Sequence, residues 1–173
     1  MEDSISSILI LVLLIIMSAY FSATETAYSS LNKIKLKSIA NKGNKKAKLA
    51  LELSEKYDSV ISTILIGNNI VNIATASLAT VLFTKLLGSS GVTVSTIVMT
   101  ILILIFGEIS PKSIAKDIPE SFAIVSAPLL NAFCIILKPV NNLFCLWKKV
   151  INKVFKIQKH SGITEDEILT IAE

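Results

Sequence analysis

The chain has 173 residues, 52% of them hydrophobic, and a formal net charge of +4. That length could bury one core, but the apolar residues fall in long, nearly charge-free blocks, which argues against an ordinary soluble domain. No serine–histidine–acid set, metal–histidine spacing or phosphate loop accompanies the blocks, so the chain is not expected to be an enzyme.

Residues 5–28 are the first expected transmembrane helix: an almost charge-free run continues through the polar stretch SAYFSATETAYSS to Tyr28. About 20 helical residues cross a hydrocarbon core of roughly 30 Å. The opening MEDS lacks the positive region of a signal peptide and no cleavage site comes after it, so this helix is expected to be retained. Residues 33–56 are dense in lysine and divide at Lys42-Gly43-Asn44 into two amphipathic pieces. They read as a short cytoplasmic helix pair lying on the leaflet, lysines toward anionic membrane lipid. Interleaved aromatics are missing from this stretch, so no nucleic-acid partner is expected. Residues 59–83 and 92–116 are the second and third spans, joined by a loop whose one charge is Lys85. The positive-inside rule then puts the lysine-rich loop inside, the short loop outside and the N-terminus outside.

Residues 120–138 are apolar but short, carry Pro128 and close on Lys138-Pro139. A full fourth crossing would carry Lys148, Lys149, Lys153, Lys156 and Lys159 outside, so a re-entrant or in-plane segment is expected, with a cytoplasmic C-terminus. Residues 140–158 alternate apolar groups with lysines around Trp147, the pattern of an amphipathic juxtamembrane helix. Thr164 and Glu167 form a capping-box pattern that starts an acidic linker over 161–173. The expected fold is thus an all-α, multi-pass protein of the cell membrane, its transmembrane domain covering residues 1–160. Cys134 and Cys145 read as small buried thiols, and His160 is given no metal role.

Three places interrupt the apolar pattern. They are the stretch with Ser22, Thr24, Glu25 and Thr26; LIGNNIVNIA with Gly67, Asn68, Asn69 and Asn72; and GEISPK from Gly107 to Lys112. Ionisable groups at membrane depth are costly and commonly mark an ion or substrate path. Pro111 has no N–H for the carbonyl four residues back, that of Gly107, so a kink freeing this oxygen beside the Glu108 carboxylate is expected. A carboxylate with carbonyl, hydroxyl and amide oxygens suits a hard cation; an ordinary structural kink is the plainer alternative. Asn68 and Asn69, with Asn72 one turn beyond Asn68, could hold an ion or join helices by hydrogen bonds. Gly67 could simply admit a neighbouring group, and Glu25 could be an interfacial anchor.

These stretches together resemble one family. FSATETAYSSLNKIKLKSIANKGNKKAK, STILIGNNIVNIA and ILIFGEISPKSIAK, in that order, resemble the membrane domain (domain of unknown function 21, DUF21) of the CorC and cyclin M proteins, grouped with haemolysin-C-like proteins. The resemblance covers about residues 5–160. It implies a homodimer with three transmembrane helices per subunit, a short cytoplasmic helix pair and a belt-like juxtamembrane helix. It further implies magnesium transport, with Na⁺-coupled Mg²⁺ export the favoured form. Carried to this chain, the ion-site elements are Ser22, Gly67, Asn68, Asn69, Gly107, Glu108 and Pro111, with Asn72 and Ser110 as neighbours suited to Na⁺. The nucleotide-sensing cystathionine-beta-synthase-type pair usual in the family is missing from this sequence, so nucleotide binding is not expected. The alternative reading is a membrane scaffold or ion sensor whose intramembrane cation stabilises a dimer and signals to cytosolic domains.

Overall fold

The computed structural model describes residues 2–141 and 143. One compact unit runs to Lys138 and holds the helices that position the site; a second begins at Pro139. Most of the expected juxtamembrane helix, Cys145, His160 and the acidic segment 161–173 lie outside the described residues.

The described residues are helical, with no strand among them. Helix α1 spans Glu2–Ser30, and two short helices come next, α2 (Lys33–Asn41) and α3 (Lys45–Glu55). Both short helices start on an asparagine. The Asn32 carboxamide oxygen accepts from the Ile34 and Lys35 N–H groups, and that of Asn44 from Lys46 and Ala47. Each side chain thereby satisfies amides that the first turn leaves unpaired. Helix α4 is Tyr57–Leu87 and α5 is Gly91–Leu102; a π-helical stretch, Ile103–Ile109, leads into α6 (Ser110–Asp117), and α7 is Pro119–Ile136.

Three helices are long and apolar enough to cross a membrane: Ile5–Ser30, the run Tyr57–Asp117 and Pro119–Ile136. The middle run is no single rod. Its 61 residues would extend roughly 90 Å at about 1.5 Å each, three times the hydrocarbon thickness. It folds back at Gly88, whose φ of +64° is a conformation that side-chain-bearing residues rarely adopt. Three residues later, a Cβ on Gly91 would collide with the backbone at Phe83, so glycine also lets the returning helix start close against the first. The hairpin thus has two long arms, α4 and the α5–α6 run.

Helix α1 lies at the centre, packed against α4, the π stretch, α6 and α7. The core beside α2 and α3 is rich in small residues: Ala27, Ala47, Ala50, Ala115, Ala123 and Ala127 are all fully buried. Small side chains let helices approach closely where the surrounding solvent is as apolar as the core. The large aliphatic residues instead face outward, with Leu9 64% and Ile73 67% exposed. This inverted distribution marks a lipid-facing surface.

One expectation changes form. Pro111 does not break the helix; Ser110 keeps helical angles of −63° and −46°, and the chain runs on through α6. The missing proline donor is absorbed upstream, where the Ser110 N–H bonds to the Ile105 carbonyl, five residues back instead of four. Such π turns are a recognised feature of functional helices. Cys134 is half-buried, less enclosed than expected, and is a free thiol.

Candidate cation site

Asn68 and Asn72 of α4 and Gly107 of the π stretch meet around Ser18 of α1, which opens the polar stretch SAYFSATETAYSS but is not among the candidates singled out from it. Ser18 is completely buried. Its hydroxyl lies 2.8 Å from Asn72 Oδ1 and 3.2 Å from Asn68 Oδ1. A hydroxyl has one proton, so as these amides are turned it can donate to only one of the two oxygens at a time. On its other side is Gly107, where an added Cβ would come within 3.0 Å of the Ser18 oxygen. Asn68 and Asn72 are held together because residues four apart share a helix face, and the same spacing relates Ser18 to Ser22. That repeat is the signal in the sequence that could have found Ser18.

Ser22 and Tyr28, both on α1, are the described residues whose buried side-chain oxygens lack a hydrogen-bond partner. The Ser22 side chain is wholly buried. Hydroxyls in helices commonly satisfy themselves on the carbonyl one turn back. Thr24, Thr26, Thr63 and Thr75 all do so here. Ser22 does not, and leaving a buried polar group unpaired costs about 1–3 kcal/mol. A hydroxyl oxygen held this way is available to a ligand.

The predicted residues divide. Gly107 is buried against Ser18, and Glu108 beside it is half-buried, with no ion-pair partner among the described residues. Gly67 is buried for a steric reason: a Cβ there would run into the Phe21 ring, approaching Cε1 to 2.7 Å. Asn69 and Ser110 are exposed, outside the Ser18 cluster. Glu25 pairs with Lys112 at 3.3 Å, joining α1 to α6 three residues beyond Ser22. Among the described residues no group of three His, Cys, Asp or Glu side chains converges. A pocket of about 250 Å³ opens elsewhere, between α4 and α5, lined by Thr80, Ser95, Met99 and Thr100 among others.

The profile described as "Cyclin M transmembrane N-terminal domain" matches residues 9–173, nearly the whole chain. The chain belongs to this family. It is 42% identical over 124 residues to a UPF0053 protein of Haemophilus influenzae, covering 72% of this chain and 30% of that protein. It is 44% identical over 113 residues to the UPF0053 inner membrane protein YfjD of Escherichia coli, covering 65% of this chain and 26% of that one. A polyamine export protein of Haemophilus influenzae is 31% identical over 138 residues, 72% of this chain and 32% of its own length. The chain thus spans about a third or less of these relatives. It is a multi-pass membrane protein of the cyclin M family.

Proposed function

We propose that this cyclin M-type domain moves Mg²⁺ across the cell membrane, with Glu108 and the buried oxygens around Ser22 as its binding residues. The observation that carries this reading is the fully buried, unpartnered Ser22 Oγ close in sequence to Ser18, whose side chain meets Asn68, Asn72 and Gly107. Mg²⁺ needs near-octahedral oxygen ligands at about 2.0–2.1 Å and gives up water reluctantly. Fixed hydroxyl, amide and carbonyl oxygens compensate for the water it loses, while Glu108 supplies charge. Gly67 contributes by admitting Phe21, which packs the α1–α4 contact beside the site. Na⁺ is the proposed coupling ion, bound among the oxygens near Asn72. Linkage then requires each ion to change the affinity of the other by the same factor.

The proposed orientation has the N-terminus outside and the lysine-bearing α2–α3 pair on the cytoplasmic leaflet. Helix α7 supports it. Its Glu120 accepts from the Asn32 N–H, and its Phe133 ring packs 5.0 Å from that of Phe21. Phe21 lies nine residues before the end of α1, about 14 Å into a core of roughly 30 Å. The proposed reading of helix α7 is a re-entrant segment that slants through the inner half. The exposed Asn69, costly against lipid, favours a homodimer that covers it.

The polyamine export protein among the relatives motivates a second substrate class, an organic polycation. Proteoliposome flux separates them. Wild type should move Mg²⁺ and not spermidine, faster with a Na⁺ gradient, and Ser22→Ala and Glu108→Gln should each reduce calorimetric Mg²⁺ binding and flux together. Spermidine movement without Mg²⁺ movement would replace the proposed substrate. Mg²⁺ binding without flux of either would favour the scaffold or sensor reading.

A further inference from the structure

Among the described residues, Lys112 is placed to serve both carboxylates that flank the proposed site. In the structure its ammonium rests on Glu25 at 3.3 Å, with both side chains partly buried. Glu108 precedes it by four residues, which on a helix makes their side chains neighbours. Lysine is a compact charge on a flexible four-carbon stem, so the same ammonium can serve Glu25 across the helix interface or Glu108 along its own helix. It cannot neutralise both. Two carboxylates and one ammonium leave one negative charge over, and the structure leaves it on Glu108.

We propose that Lys112 is a built-in exchange cation for the transported ion. It rests on Glu25 while Glu108 holds a metal ion, and moves to Glu108 when the ion leaves, so that the carboxylate is never left bare at membrane depth. The energetics favour such a device. A bare Glu108 within the membrane is costly, whereas a partly exposed Lys–Glu pair is worth little and opens readily. Ion and ammonium compete for one carboxylate, and Glu25 sets the balance by giving the displaced ammonium a second seat. Departure of the ion then needs no second ion from solution to restore neutrality at Glu108.

This inference rests on the Mg²⁺ reading for its substrate, and its test is built so that the two can fail separately. Mg²⁺ binding is measured by calorimetry in nanodiscs for wild type, Lys112→Gln, Glu25→Gln and the double variant. Losing the competitor should tighten binding about tenfold in K112Q, and losing the second seat should weaken it several-fold in E25Q. The double variant should bind like K112Q, because Glu25 acts only through Lys112. Flux should nevertheless fall in K112Q despite its tighter binding. Independent effects, with E25Q weakening binding as much in the K112Q background as in wild type, would overturn the proposal and leave simple through-space electrostatics. A second measurement uses no ion. Without Mg²⁺, where Lys112 sits on Glu108, thermal unfolding should show Glu108→Gln more destabilising in wild type than in the K112Q background. Equal effects would overturn the exchange even if Mg²⁺ binds. Absence of Mg²⁺ binding in wild type with the unequal unfolding effects retained would overturn the substrate and keep the exchange.

Discussion

Ser18 and Asn72 join α1 to α4 through a 2.8 Å hydrogen bond, fifty-four residues apart in sequence. The same serine oxygen limits what can stand at position 107 on the third arm. One small side chain thus positions three helices, which makes its contribution measurable. Interhelical hydrogen bonds in membranes average about 0.6 kcal/mol, reaching about 1.7. A double-mutant cycle of Ser18→Ala and Asn72→Ala, read by unfolding in mixed micelles, should give a coupling near the lower figure. Zero coupling would make the bond incidental. Gly107→Ala should be milder in the S18A background, because the tight 3.0 Å contact is with Oγ and the next, with Cβ, is an ordinary 3.4 Å.

Gly67 separates a steric role from a ligating one. Its Cα faces the Phe21 ring so closely that Gly67→Ala must displace that ring, and overpacking of this kind costs about 1–3 kcal/mol. Phe21→Leu should largely restore the stability of G67A. Mg²⁺ binding should return with it. Restored stability with binding still lost would mean that position 67 acts on the ion directly.

How much of this is legible in the sequence depends on whether the signal is local. The spans are legible because long apolar blocks and lysine asymmetry are properties of single segments. The α2–α3 pair is legible for the same reason, its turn and both capping asparagines lying within a few residues of the elements they serve. The register around Pro111 is half legible: the missing N–H is a local fact, but its absorption in a π turn over 103–109 is not written in the segment itself. Ser18 opens the polar stretch of α1 yet looks like an ordinary small residue until Asn68 and Asn72 are brought to it. Gly67 reads as a ligand candidate because nothing in its own segment reveals Phe21. Asn69 and Ser110 join the candidates through the family resemblance, and they lie on exposed faces.

The pair Lys35–Glu120 should respond unequally to removal of its two ends. Glu120 Oε2 accepts from Lys35 Nζ at 2.9 Å while Oε1 accepts from the Asn32 N–H at 3.1 Å, tying the start of α7 to the α1–α2 junction. The carboxylate is 10% exposed and the lysine 65%. Lys35→Ala removes a largely solvated partner and should cost less than about 1 kcal/mol, fading at high salt. Glu120→Ala also strips the acceptor from a backbone amide and should cost about 1–3 kcal/mol. Equal costs in the same unfolding assay would show that the anchor is the ion pair alone.

The depth of α7 gives the sharpest check on the proposed topology. Its Phe133 meets Phe21 and Tyr20 in the C-terminal part of α1, and the helix ends three residues later at Ile136. If α7 slants through the inner half, Lys138 never reaches the outer surface. If it crosses fully, Lys138 emerges there, and every lysine after it does the same. In a background with Cys134 and Cys145 replaced by serine, single cysteines at Ser30, Ser89 and Lys138 are treated with an impermeant maleimide on intact cells. Ser89 is exposed in the turn between α4 and α5, and Ser30 is exposed at the opposite end of α1. S89C should react from outside, whereas S30C and K138C should react only after the membrane is opened. K138C reacting from outside alongside S89C would make α7 a fourth crossing and would move the chain after it to the outer face, contrary to the positive-inside rule on which the orientation rests.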